Sequence, residues 1–310
     1  MKARGFREVR ILRGGIVPRH FKELTRDRPV ETLPPPRVAV IPLLQHIGAP
    51  CEPLVSTGDR VEEGQKIGDS RISVSAPVHA CAAGRVVAVE PRPHPTAGTA
   101  TAVVVEVDSP ARGGTAEAEA GAGPDAGAEA GAGAGGGREP SQRWASPDEL
   151  SPAAIRAAVR EAGVVGMAGA AFPTAVKLTP PVGRKVEALI LNGTEGEPYL
   201  TADHRLMLED PGAVADGMAL MMRVLDADRG FVAVEADKRD AAAAVARAVR
   251  EAGLEQRVEV LLVHGRFVGG SEKMLIRAIL GREVPSGGLP ADVGVVVQNV
   301  STSAAVSAAV

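Results

Sequence analysis

Hydrophobic positions recur along this chain in two rhythms, separated by a stretch that has none. In the first hundred residues, short β-branched runs at Val38 to Ile41, Val86 to Val89 and Ala102 to Val107 are broken by Gly and Pro, which predicts an all-β unit. Beyond Ser146 the pattern alternates between helical and strand periods. It predicts a helix over 152–162, with Ser151 as N-cap and Ala154, Ile155, Ala158 and Val159 on one face. A strand over 186–191 follows, then a helix over 211–225, a strand over 230–234 and an Ala-rich helix over 239–252. The pattern closes with a strand over 258–263, a helix over 271–280 and a strand over 293–297. Such an order implies a largely parallel sheet covered by helices, with ligands bound at the carboxyl ends of its strands.

Between the two regions, Ala116 to Gly137 reads AEAEAGAGPDAGAEAGAGAGGG and has too little apolar surface to order itself. The expected organisation is an all-β module over 1–110, a disordered linker over 111–145 and an α/β module over 146–310. Apolar residues make up 45% of the 310 and charged residues 24%, enough for a buried core. With aromatics at only 2%, that core must be aliphatic, and base-stacking nucleic-acid modules are disfavoured. A formal charge of −3 without a basic run suggests neither nucleic acid nor anionic lipid as a partner. No apolar run approaches the ~20 residues of a membrane-spanning helix, and no apolar segment follows the basic N-terminus as a secretory signal would. A soluble, cytoplasmic chain is the expectation. Cys51 and Cys81 are too few for a disulfide framework or for a four-thiolate cluster, and both read as small buried hydrophobes. No metal site is expected.

Three stretches combine glycine with charged or amide side chains in loops beside these elements. GMAGAAFPTAVK at 166–177 offers glycines for close backbone approach and Lys177 as a point charge for phosphate, but taken alone its composition suits a plain helix connection better. NGTEGEPYLTADHRLM at 192–207 places Asn192, Glu195 and Glu197 after a strand, where amide and carboxylates can hydrogen-bond ring nitrogens, carbonyls or ribose hydroxyls. Its structural alternative is a charge network of Asp203, His204 and Arg205 at a helix start. GGSEKMLIRAILGREVP at 269–285 opens a helix with Gly269, Gly270 and Ser271, a geometry that suits a cofactor phosphate or simply a capped helix. Asn299 and Thr302 lie just past the last strand.

The order of these stretches resembles the flavin-binding domain shared by the 51-kDa subunit of respiratory complex I and the C subunit of Rnf-type electron-transport complexes. GGIVPRHFKELT at 14–25, IPLLQHIGAPCEPLV at 41–55, EPRPHP at 90–95, GEPYLTADHRLM at 196–207 and ILGREVPSGGLPADVGVVVQNV at 279–300 look like the Rnf C subunit in particular. VSTGDRVEEGQKIG at 55–68 and SAPVHACAAGRVVAVE at 75–90 resemble a barrel-sandwich hybrid, or lipoyl-like, fold. Its hairpin carries Arg71, which cannot be lipoylated or biotinylated.

The resemblance implies an electron-input subunit, peripheral on the inner face of the cell membrane, in an ion-translocating complex with other subunits. FMN would accept hydride from NAD(H) and pass electrons singly towards 4Fe-4S clusters and ferredoxin. By position, Gly166 and Gly169 would lie against the flavin or its phosphate, Lys177 near a phosphate, and Phe172 stacked on the dinucleotide. Asn192, Glu195 and Glu197 would contact the flavin and the nicotinamide, with the two glutamates closest to the chemistry. Gly270, Glu272, Asn299 and Thr302 would complete the pocket.

Ala168 departs from a glycine common in that loop, Gly196 stands where Rnf-type members often carry Cys, and Thr194 replaces an Asp of complex I members. The family continues into a β-grasp domain and a segment with two four-cysteine motifs, so this chain is expected to be a fragment, without cluster ligands of its own. Two other functions fit parts of the pattern: a flavin-dependent cobalamin reductase, against which the N-terminal module counts, and a flavin-free docking protein, which Ala168 motivates. Limited proteolysis is expected to cut first between Ala116 and Gly137, and protected amides there would show that the segment packs.

Overall fold

The computed structural model describes residues 6–11, 19–108, 150–181, 183–265 and 271–310, so the expected linker and the Gly269–Gly270 helix entrance lie outside the described residues. Strand β1 (Arg7–Arg10) comes first. The all-β module follows, with β2 (Val38–Pro42), β3 (Glu52–Pro53), β4 (Arg60–Val61), β5 (Lys66–Asp69), β6 (Val78–His79), β7 (Gly84–His94) and β8 (Gly98–Val107). These strands form two antiparallel sheets, in the orders β2-β8-β7-β4 and β3-β5-β6. Alternate residues such as Ala39, Ile41, Ile67, Val86, Val103 and Val105 point inward to one small aliphatic core. Arg71 is exposed in the segment between β5 and β6. Cys51 is buried as expected, but Cys81 is exposed, because it lies in the turn between β6 and β7 rather than on a strand facing the core.

The second module contains α1 (Pro152–Glu161), α2 (Thr174–Lys177), β9 (Ala188–Gly193), α3 (Ala202–Glu209), α4 (Pro211–Leu225) and β10 (Arg229–Glu235). It ends with α5 (Arg239–Glu251), β11 (Val258–His264), α6 (Glu272–Leu280), β12 (Val295–Asn299) and α7 (Val300–Ala309). Ser151 caps α1 by accepting the Ala154 amide at 3.1 Å. The sheet is parallel throughout, in the order β1-β11-β10-β9-β12. Leu189 and Leu191 pack on one face under α1, α4, α5 and α7, while Ala188 and Ile190 pack on the other under α6. Burial on both faces explains why the strands read as continuous apolar runs. Helices α4 and α7 meet closely at Gly217, where a Cβ would come within 1.8 Å of the Ser303 carbonyl oxygen.

The structure departs from the sequence reading in α2 and α3, which lie in stretches read as loops, and at two strands. The N-terminal boundary at residue 1 gives way to a shared chain, because Arg7–Arg10 pairs with β11 as an edge strand of the second module's sheet. Four residues with one inward side chain, Val9, carry too little periodicity to announce this. The strand expected over 293–297 starts later, since Pro290–Val293 forms a 3-10 turn ended by Gly294 at φ 72°.

The two modules touch through charge and backbone. Arg160 on α1 donates to Asp69 Oδ1 at 2.6 Å and to the Ser70 carbonyl at 3.1 Å, and Lys66 pairs with Glu161. At Gly163, φ 68° and a Cβ position 2.3 Å from the Pro77 carbonyl oxygen leave room for glycine only. Burial raises the Asp69 carboxyl, but the hydrogen bond from Arg160 and its charge outweigh that and hold it below 3.8. The contact therefore contributes stability above pH 3.8 that is lost as pH falls through the lower folded value. Arg160→Met is expected to flatten the acid limb of the melting profile between about pH 5 and pH 2. A profile unchanged from wild type would remove Asp69 from the contact.

Candidate functional site

Parallel order makes the carboxyl ends of β9 to β12 share one edge, and the chain reverses direction across the sheet between β9 and β12. A cleft of about 560 Å³ opens at that edge. Gly166, Gly169, Phe172 and Lys177 line it from the loop after α1 and from α2. Asn192, Glu195 and Glu197 line it from the loop after β9, Glu272 from the start of α6, and Asn299 and Thr302 from the junction of β12 and α7. Gly270 lies outside the described residues.

Strand pairing puts Asn299 opposite Asn192, and the Asn299 amide donates to the Asn192 carbonyl at 3.3 Å and to Asp203 Oδ2 at 2.6 Å. Asn299 Oδ1 in turn accepts the amides of Ser301 at 2.7 Å and Thr302 at 3.3 Å, which caps α7. Asn299 is thus a knot tying β9, β12, α3 and α7 together. Thr302 Oγ1 accepts the Met167 amide at 3.0 Å and fixes the glycine loop to α7. Gly169 lies at φ 87°, which L side chains rarely adopt, with nothing within 4 Å of its Cβ position. At Gly166 the same position meets only ordinary contacts, the nearest 3.6 Å away at Phe172.

The loop after β9 is held from beneath by two buried lysines. Lys238 donates to the Thr194 carbonyl at 3.3 Å and to Glu235 at 2.6 Å, and Lys22 donates to the Glu195 carbonyl. Glu195 is strained at φ 41°. Its carboxylate accepts the Asp203 amide at 2.7 Å and the His204 amide at 3.3 Å, so it terminates α3 while its edge lines the cleft. The charge network anticipated at 203–205 therefore exists alongside the cleft, with Arg205 paired to Glu209 at 2.6 Å. Glu197 is exposed at the cleft and makes no hydrogen bond among the described residues. Thr194 donates its hydroxyl to Asn192 Oδ1 at 2.7 Å, which tightens the turn where complex I members carry Asp. Burial pushes both Glu195 and Asp203 above the usual carboxylate range. Lys177 pairs with Glu272 at 3.2 Å, both partly exposed, an ion pair weak enough to yield to a ligand anion.

Among the lining residues that escaped the sequence reading are Asp203, Gln298 and His20. Asp203 is visible there only as part of a helix start. Gln298 is 4% exposed, lines the cleft and has an Nε2 without a hydrogen-bond partner. His20 lines it from the segment after β1, in a region whose local pattern carries no sign of reaching the second module. Among the described residues no cluster of His, Cys, Asp and Glu is placed to hold a metal ion, and no helix is long and apolar enough to cross a membrane.

A parallel sheet with a glycine loop, a lysine and convergent amides at its switch point defines a nucleotide-cofactor-binding protein of the α/β class. Residues 159–308 match the family model of the Nuo51 FMN-binding domain, and residues 11–110 match that of the RnfC barrel sandwich hybrid domain. The C subunit of the Na(+)-translocating ferredoxin:NAD(+) oxidoreductase complex of Acetobacterium woodii is 41% identical over 95% of this chain and 60% of its own length. The C subunit of the proton-translocating ferredoxin:NAD(+) oxidoreductase complex of Clostridium ljungdahlii is 42% identical over 97% of this chain and 60% of its own. That of the ion-translocating oxidoreductase complex of Rhodobacter capsulatus is 39% identical over 96% and 53%. The chain belongs to the family of Rnf-type C subunits, and it spans about 60% or less of the length of these relatives.

Lys238 tests the support of the loop. Burial pulls its ammonium down, but Glu235, with Asp237 and Glu195 beside it, outweighs burial and holds the pKa above 10.5. Its contribution is complete below pH 10.5 and is lost as pH rises through the folded value. Lys238→Met is expected to cost about 3 kcal/mol in urea unfolding, at the low end for breaking a buried pair because Glu235 keeps some exposure. A loss below about 1 kcal/mol would show that the lysine carries no such load.

Proposed function

We propose that the cleft binds FMN and that the chain relays electrons between NAD(H) and one-electron iron–sulfur carriers leading to ferredoxin. It does so as the electron-input subunit of an ion-translocating complex, peripheral on the inner face of the cell membrane beside its other subunits. The observation that carries this reading is convergence: side chains from four separate stretches line one cleft at the switch point of a single sheet. The match of residues 159–308 to an FMN-binding domain and the names of the similar subunits support it.

The residues present suit the cofactor. Gln298 offers a buried donor that lacks a partner, Gly169 borders open space, and Lys177 is a cation whose present partner is weakly held. Bound there, FMN supplies the conversion between two-electron and one-electron transfer. Lys177 and the glycine loop would hold its phosphate, with the Gly166 and Gly169 backbone close against it. Asn192 and Gln298 would fix its polar edge, and Phe172, partly exposed at the rim, would offer a face to the dinucleotide. Glu197 is the carboxylate open to a carboxamide or ribose hydroxyl, whereas Glu195 and Asn299 act by holding α3, α7 and the loop in place. A flavin-free docking role is disfavoured by Gln298, because a buried amide without a partner costs stability unless a ligand answers it.

Gly166 separates binding from folding better than Gly169, where any side chain is strained by φ 87°. Purified chain is expected to take up FMN with quenching of its fluorescence. Gly166→Val is expected to weaken that binding by about tenfold or more with an unchanged melting temperature. Wild-type chain that takes up no FMN would overturn the assignment, and equal affinity in the variant would remove the loop from the contact.

A further inference from the structure

Residues 19–25, which precede the all-β module, lie at the cleft and are fastened there by several contacts. The His20 carbonyl accepts the Tyr199 amide at 2.7 Å, and Thr25 Oγ1 donates to the Tyr199 carbonyl at 3.2 Å. The Phe21 and Tyr199 rings stack 4.9 Å apart at 4°, with Arg19 over the other side of Phe21 at 4.6 Å. Lys22 holds the Glu195 carbonyl, and Thr201 Oγ1 donates to Thr25 Oγ1 at 2.9 Å. Both Phe21, at φ 51°, and Tyr199, at φ 68°, are L residues in the left-handed region. Each costs of order 1 kcal/mol, so the arrangement is stabilised only by what surrounds it.

The side chain of one residue in this segment takes no part in the fastening. His20 lines the cleft, yet its Nδ1 is shut off from solvent and has no hydrogen-bond partner. A buried polar atom left so costs about 1–3 kcal/mol. Its place in the chain makes the observation more pointed. The FMN-binding match begins at residue 159, so His20 is supplied to the cleft by a segment outside that domain.

We infer that His20 is a ligand-contacting residue of the cleft, its imidazole turning on binding so that a ring nitrogen meets a polar edge of the bound redox ligand. That edge belongs either to the flavin or to the nicotinamide dinucleotide; both present carbonyl, amide and hydroxyl groups, with which an imidazole nitrogen pairs in one tautomer or the other. The segment from His20 to Thr25 is then a fixed wall that completes the site rather than a linker between modules. This rests on the FMN reading above.

The test uses the 310-residue chain with His20→Leu and His20→Asn, the latter keeping a polar atom near the position of Nδ1. FMN affinity is read from fluorescence quenching, and the affinity of the FMN-loaded protein for NAD+ is read by calorimetry. Thermal stability is measured without ligand. His20→Leu is expected to match or exceed wild-type stability without ligand, because an unanswered polar atom is removed. It is also expected to lose about tenfold in one of the two affinities, with His20→Asn recovering most of the loss. Loss of FMN affinity assigns the contact to the flavin, and loss of NAD+ affinity alone assigns it to the dinucleotide. Both affinities unchanged in His20→Leu, or a loss that merely follows a drop in stability, would overturn the inference while leaving FMN binding by wild type intact. Wild-type chain that binds no FMN would instead bring down the functional reading, and this inference with it.

Discussion

The parallel pairing of β9 with β12 is the constraint on which the site depends. These strands lie far apart in sequence, with Asn192 and Asn299 separated by 107 positions, yet their register sets the two asparagines side by side. Because both strands run the same way, the loops that follow them emerge on one edge of the sheet. The Asn299 side chain then uses its whole hydrogen-bonding capacity on Asn192, Asp203 and the start of α7. From that junction Thr302 reaches the glycine loop, and Asp203, in the first turn of α3, ties that helix to Glu195 in the loop after β9. Disrupting the pairing would scatter the cleft's walls without touching any of their contacts to a ligand.

Charge is buried beneath the cleft for structural reasons. Lys22 and Lys238 approach successive carbonyl groups of the loop after β9 from different parts of the chain. Ammonium groups placed this way hold a loop containing the left-handed Glu195. They also put positive charge under an edge lined by Glu195, Glu197 and Asp203. The Glu195 carboxylate shows how closely structure and site are merged, since it faces the cleft while closing the N-terminus of α3. Assigning such a residue to chemistry or to support from its type alone is not possible.

The two modules are also less separate than a beads-on-a-string picture implies. Arg7–Arg10 pairs in the sheet of the second module and His20 lines its cleft, although both precede the all-β module in sequence. Arg160, Gly163 and Lys66 fasten the modules together at a second place. An all-β unit whose hairpin holds Arg71 in place of a modifiable lysine therefore has a positional role here, because its entry segment furnishes part of the neighbouring cleft.

The sequence by itself determined the longer elements of the second module and much of the cleft's lining. Helix boundaries at Pro211 and Leu225 were legible because proline, apolar period and the turn at Asp226 agree locally. The glycine loop, Asn192, Glu197 and Lys177 were legible because they follow predicted elements whose carboxyl ends must share an edge. Only tertiary structure decided the rest. Edge strand Arg7–Arg10 owes its conformation to pairing with β11, which sets Arg7 opposite Leu261, and four residues cannot encode that locally. Gln298 reads as one polar residue ending an apolar run, and its unpaired amide is a property of its surroundings rather than its neighbours in sequence. The same holds for His20 and Lys22, whose roles depend on a meeting with the second module that no local pattern records. Period and capping are local and so are written in sequence, whereas partners of buried polar groups are set by which segments the folded sheet brings together.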